Sequence, residues 1–227
     1  MKKILIPVAV VVVLAVGAVV GFVIYTNSTE QDETSLADTG AERDVAPDLA
    51  GSPDGKWAVA EGSQGGYRVE NEILQGATVT ATGYTSDLAG SMTLTGGGAA
   101  ITEASFTIDV PSITSDGFAR RDNAFREVLA ADEFPTASFE LTEPIGLAAF
   151  PDENVETKIE VIGELTLKGS TNAVTFTATA VRGGNRIDVK ALIPVTYTEF
   201  GIKNPSNSFA QITDSGFIDV SIGFTKG

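Results

Sequence analysis

The chain has 227 residues, enough for one domain of ordinary size with an appendage. It contains no cysteine and no histidine, which removes disulfides, thiolate nucleophiles, Ser-His-Asp triads and the usual Cys/His zinc and haem sites. With 15 Lys plus Arg against 30 Asp plus Glu, the net charge is −15, so phosphate backbones would be repelled and nucleic acid is not an expected partner.

Lys2 and Lys3 precede residues 4–25, a run without charge. As a helix this run would be about 33 Å long, against about 30 Å for the hydrocarbon core of a bilayer. A cleaved secretory signal has a shorter apolar core, so residues 1–25 are expected to be an uncleaved transmembrane signal-anchor. The lysines ahead of the run and the acids behind it predict a cytoplasmic N-terminus and an extracytoplasmic remainder.

Residues 26–55 hold eight acids, one base (Arg43) and no aromatic residue. Such a segment buries too little apolar surface to offset its ordering entropy, and it reads as a flexible acidic linker. Within it, Gly51-Ser52-Pro53-Asp54-Gly55-Lys56 imitates a phosphate-binding loop. The spacer is one residue short, however, and Trp57 stands where a hydroxyl residue is needed.

Residues 56–227 form the folded domain, and their apolar residues recur with period two. Ala104, Phe106, Ile108 and Val110 mark one strand face; Ala137, Phe139 and Leu141 mark the next. Ile159, Val161, Leu165 and Leu167 follow, then Val174, Phe176, Ala178 and Ala180, then Ile187 to Val195 at every second position. Polar residues between them predict antiparallel sheet with one wet face. Stretches 66–73, 76–84, 88–95 and 216–225 are of the same kind. Turns are expected at Gly96-Gly97-Gly98, Gly169-Ser170-Thr171-Asn172 and Gly183-Gly184-Asn185.

One stretch breaks the alternation. Residues 117–131 place Phe118, Phe125, Val128 and Leu129 on one side of a helix, with Ser115 or Asp116 available as cap. A single amphipathic helix among about eight strands predicts an all-β fold: an antiparallel barrel with a short helical lid, whose closure removes exposed edges.

Four stretches of this domain resemble the YceI-like family. They are Phe106–Val110 running into Pro111-Ser112-Ile113; Arg120-Arg121-Asp122 leading to Phe134-Pro135-Thr136-Ala137-Ser138-Phe139; Gly163-Glu164-Leu165-Thr166-Leu167-Lys168-Gly169; and Tyr197-Thr198-Glu199-Phe200-Gly201-Ile202. The resemblance implies an extracytoplasmic, lipocalin-like barrel that binds a polyisoprenoid or similar long-chain lipid, without catalytic residues, metal or cofactor. Histidines that family members often carry are replaced here, for instance by Lys168, so no role of theirs is transferred.

On this reading an apolar tunnel runs between the sheet and the lid. Its lining would be Phe106, Ile108, Phe139, Leu141, Val161, Leu165 and Phe176 from the strands, with Phe118, Phe125 and Leu129 from the helix. Strand parity alone does not separate a ligand's lining from a filled core, since both demand the same alternation. Arg120, Arg121 and Asp122 either meet a polar head group or fix the helix to the barrel. Tyr197 and Lys168 admit the same two readings. The rival function is a non-enzymatic envelope interaction or stress module with a filled barrel. As for catalysis, Glu160 and Glu164 are four apart in a strand, about 13 Å from each other, too far for a retaining carboxylate pair.

Overall fold

In the computed structural model the described residues are 47–73, 77–115, 119–206 and 210–226. The expected membrane helix and the linker as far as residue 46 lie outside them. Among the described residues, no helix is long and apolar enough to cross a membrane.

The strands are β1 (Gly55–Val59), β2 (Gln64–Ile73), β3 (Ala77–Thr85), β4 (Leu88–Thr95), β5 (Ala100–Asp109), β6 (Thr136–Leu141), β7 (Ile145–Gly146), β8 (Thr157–Leu167), β9 (Ser170–Gly183), β10 (Arg186–Thr196), β11 (Ala210–Ile212) and β12 (Ser215–Lys226). Helix α1 (Ala119–Leu129) lies between β5 and β6. Every strand pairing is antiparallel, and the ring runs β1-β4-β5-β6-β8-β9-β10-β12 and back to β1. The expected eight-stranded barrel with one short helix is therefore present.

Twelve segments make eight staves because four staves are interrupted, β1/β2, β3/β4, β6/β7 and β11/β12. One edge of β12 pairs with β10 along its whole length; the other pairs first with β2 and then with β1. Ser63 bridges the break between β1 and β2. Its hydroxyl donates to the Ala60 carbonyl (2.7 Å) and accepts from the Gly223 N–H (3.0 Å), supplying bonds that the ladder lacks there. The pair β3/β4 returns alongside, as one long hairpin with β1/β2.

The turns are chosen by backbone conformation. Lys168 and Gly169 both have positive φ (51° and 73°) and form a two-residue loop between Leu167 and Ser170, which are paired. That is one position earlier than the sequence suggests, because Lys168 adopts the left-handed conformation and lets the turn close sooner. Gly96, Gly97 and Gly98 all have positive φ, and the N–H groups of Gly97 and Gly98 donate to the Asp54 carboxylate at 3.0 and 2.9 Å. These two amides hold the Asp54 carboxyl below its ordinary pKa. Asp54, which sits in the phosphate-loop look-alike, thus occupies an anion's place itself.

Residues 47–54 carry no regular structure, yet they are fastened to the barrel. The Pro47 carbonyl accepts from the Asn185 N–H (2.9 Å), Trp57 Nε1 donates to the Pro53 carbonyl (2.9 Å), and Lys226 Nζ donates to the carbonyls of Ser52 and Asp54.

The core is the inward face of the ring. Large side chains lie over glycines on adjacent strands: a Cβ at Gly163 would stand 2.4 Å from Phe139 Cζ, and one at Gly83 would stand 2.6 Å from Tyr67 Cε1. On the outer wall Gly66 separates Tyr84 on β3 from Asp219 on β12 in register. The bare glycine lets the Tyr84 hydroxyl reach across and donate to Asp219 Oδ2 (2.8 Å), which also accepts from Arg68 Nε and Nη2 at 3.2 and 3.1 Å.

Two measurements test this packing. Gly163→Ala should destabilise the protein by about 1–3 kcal/mol in urea unfolding, because the added methyl meets both Phe139 and the Glu140 carbonyl. Gly146→Ala, whose Cβ meets open space, should change stability by less than about 0.5 kcal/mol. Burial, reinforced by Asp219 for Tyr84 and by Asp214 for Tyr197, pushes both phenols up to about 12. The folded state therefore favours the neutral phenols, and their contribution is complete below about pH 10, the unfolded value. It should fade as pH rises from about 10 to 12. Urea midpoints should stay level below that window and fall within it, with phenolate absorbance of these two tyrosines appearing near pH 12. Titration of both at pH 10 would contradict the packing described.

Candidate functional site

The middle of the barrel is aromatic by register. Phe106 on β5 faces Phe139 on β6, their rings stacked with centroids 5.5 Å apart, and Phe139 meets Phe176 edge-on at 5.4 Å. Gly163 on the intervening strand makes this possible by giving up its side chain beneath Phe139. Ile108 and Leu165 are fully buried, Val161 is buried beside Phe176, and Leu141 is half-buried where β6 ends.

Phe176 and Val189 point inward by parity yet are only partly buried. Their neighbours on the same wall, Ala178, Ala180 and Ala191, are small. Beyond Ala178 and Ala191 the ladder between β9 and β10 stops, so Phe176 stands beside a stretch where the two strands are not paired.

Both ends of the barrel are covered. At one end α1 lies over the sheet, with Leu129 buried and Phe125 stacked on Tyr67 at 4.2 Å and 20°. Beside it the 3-10 turn Tyr197–Phe200 tucks in Tyr197 and Phe200, and Lys168 Nζ donates to the Gly201 carbonyl (3.0 Å), fastening this turn to the β8–β9 hairpin. At the other end Phe150 packs against Trp57 and under the Arg182 guanidinium, which lies 4.9 Å from the ring centroid. Arg182 also donates to the Pro151 carbonyl (2.7 Å) and to Glu153 (2.8 Å).

The wall parts in two places: β9 and β10 stop pairing beyond Ala178 and Ala191, and β6 separates from β8. Strand β6 leaves β8 at Leu141 and Gly163, and β7 pairs with β5, so the first half of β8 has no ladder on that side. A cavity of about 350 Å³ fills the split, lined by Glu143, Lys158 and Glu160 with Ile145, Leu147, Ile159 and Ile162 among others. Its surface is more polar than apolar. It lies away from the helix and differs from the apolar tunnel expected there.

The residues proposed for a head group fall into separate environments. Arg120 is exposed and Arg121 half-buried. Asp122 is buried and accepts from the Ser115 N–H (2.9 Å) and the Ser115 hydroxyl (2.6 Å). Arg126 pins the helix, donating Nε to the Pro111 carbonyl (2.8 Å) and Nη1 to Asn123 Oδ1 (3.1 Å). Fixing the helix is thus the work of Asp122 together with Arg126, which the sequence did not single out. Phe118 lies outside the described residues.

Tyr67 is a second residue that sequence reasoning missed. It is buried, it faces Gly83 across the strand pair, and its ring forms the floor under α1. Burial, then Asp122, raise its phenol pKa, while Arg121 and Ser115 pull the other way. The signal that could have found it is an aromatic residue at an inward position directly opposite a glycine.

Comparison with known proteins agrees with this architecture. The YceI-like domain matches residues 60–224. A polyisoprenoid-binding domain from Saccharophagus degradans, implicated in plant cell wall breakdown, has a similar structure: TM-score 0.59 at 15% identity, covering 77% of this chain and 99% of that one. Burkholderia cenocepacia BcnA is similar at TM-score 0.56 and 21% identity, over 71% and 95% of the two chains. The Campylobacter jejuni YCEI protein follows at 0.51 and 14%, over 63% and 82%. At these identities the likeness speaks for the fold. No curated protein matches this chain. With the family match covering well over half the sequence and falling on the closed barrel, the chain belongs to the YceI-like domain family.

Proposed function

We propose that the barrel binds a polyisoprenoid or similar long-chain lipid in its lumen and serves as an extracytoplasmic, membrane-tethered lipid-binding protein. The observation that carries this reading is the inward face, which is apolar from Trp57 to Phe200, with Phe176 and Val189 only partly buried beside the alanines of β9 and β10. Transfer of a chain into such a space is worth about 0.8 kcal/mol per CH₂, so affinity comes from length and dryness rather than from a charged clamp. The printed description of the Saccharophagus relative as polyisoprenoid-binding supports the same ligand class. The uncharged run at 4–25, with lysines before it and acids after it, supports the tether, and a short linker would keep the domain concentrated at the bilayer.

The rival, a filled barrel acting through its surface, draws on the close packing of Phe139 over Gly163 and of Tyr67 over Gly83. For a lipid to enter, these rings have to shift together. The two readings differ in one measurable property. With a long-chain polyprenyl alcohol at about a hundred times its Kd, the full-length protein should gain about 2.7 kcal/mol of stability and a higher Tm. Phe176→Glu should abolish that gain, while Thr177→Glu, on the outward face of the same strand, should retain it, circular dichroism confirming that both variants are folded. An unchanged Tm in the wild-type protein would favour the filled barrel.

A further inference from the structure

We propose that the outer wall around Leu192, Pro194 and Phe217 docks on a lipid bilayer, and that the unpaired stretch of β9 and β10 beside it is a side door to the lumen. The inference rests on the lipid-binding reading and adds to it the route by which a lipid enters.

Leu192 and Phe217 are 42% and 36% exposed, two of the three large apolar side chains exposed among the described residues. They are clustered. Phe217 on β12 stands directly opposite the exposed Pro194 on β10, and Leu192 is the next outward position along β10. A contiguous exposed apolar patch marks a surface that something covers.

Beside this patch the wall has a seam. Strand β10 continues to Thr196 and β9 begins at Ser170, yet they share no ladder beyond Ala191 and Ala178. Asn172 Nδ2 donates to the Glu199 carbonyl (3.0 Å) above the seam, so the seam is a window in the wall rather than a notch in its rim. Parting the strands there breaks no ladder bond, whereas an unreplaced backbone bond elsewhere would be costly to lose. Phe176 is the inward ring at this place and is only partly buried, while Val174 and Ala178, two residues to either side, are buried. The other unpaired stretch, along the first half of β8, is lined by Glu143, Lys158 and Glu160, which suits a hydrocarbon tail poorly.

Charge and reach select a bilayer as the occupant. The outward side chains flanking the seam are Ala173, Thr175 and Thr177 on β9 and Leu192, Pro194 and Thr196 on β10, none of them charged. Asp219, directly opposite Leu192, is paired with Arg68 at 3.1 Å. In a chain of net charge −15, this wall can approach head groups that repel the remainder. The described chain begins at Pro47, held to Asn185 at the start of β10. Residues 26–46 reach about 70 Å when extended, against about 30 Å from Asn185 to Pro194 along the strand. The linker is long enough to lay this wall on the membrane that anchors residues 4–25.

The test places the full chain in phosphatidylcholine vesicles. Because the chain has no cysteine, Leu192→Cys and Thr107→Cys, the latter on the exposed outer face of β5, each take a single fluorescent label. A spin-labelled phosphatidylcholine should quench the label at 192 and spare the label at 107. Loading of a dansyl-tailed polyprenyl alcohol from the vesicle is followed by energy transfer from Trp57, the single tryptophan. Leu192→Glu combined with Phe217→Glu should slow loading at least tenfold, with Tm and the affinity for the same alcohol in detergent unchanged. Equal quenching at the two positions, or loading of the double variant at the wild-type rate, would overturn the docking face while leaving lipid binding in place. Self-quenching between labels at 192 without quenching by lipid would assign the face to a second copy and overturn the proposal equally. Failure of the wild type to take up the alcohol from vesicles or detergent would overturn the lipid-binding reading and the door with it.

Discussion

Closure of the ring through β12 is the constraint from which the rest follows. Because β12 pairs with β10 on one edge and with β1 and β2 on the other, no strand of the barrel can change its tilt or register alone. Every second side chain must then meet its neighbours across a lumen of fixed width. The protein meets this condition by setting large residues over glycines, with Phe139 above Gly163, Tyr67 above Gly83 and Ile108 above Gly65. The same arrangement that fills the interior also defines what would have to move for a ligand to enter it.

Much of the fold was legible in the sequence because alternation is a local property. Ile159, Val161, Leu165 and Leu167 report one strand face without reference to anything else, and all four are buried. The helix was legible for the same reason, its period changing from two to 3.6 around Phe125 and Leu129. What remained hidden was non-local. Nothing near Tyr67 in the chain indicates that its ring meets Phe125, 58 positions away, or that Gly83 stands opposite it. The same is true of the split wall: β6 parts from β8 because it is short, and a short strand leaves no trace in periodicity beyond its own end. The β1/β2 break escaped notice because Ser63, the residue that repairs it, reads as an ordinary polar turn residue.

The candidate site was half legible. Phe106, Phe139 and Phe176 do converge, since parity and register bring them together. The Arg-Asp motif on the helix divides by orientation, which one helical turn decides: Arg120 faces out, while Asp122, two residues on, is buried against Ser115. Electrostatics then sharpen the picture that composition had sketched. The chain carries a net charge of −15, and one of its carboxylates, Asp122, is buried under the helix.

The central claim is that the lumen accommodates a hydrocarbon chain that does not belong to the protein. The most direct measurement is mass spectrometry of the organic extract from the purified full chain, quantified against protein. The account predicts close to one equivalent of a polyisoprenoid or similar long-chain lipid. Repeated extracts empty of any lipid, from protein shown to be folded and exposed to isoprenoid-containing membranes, would contradict it.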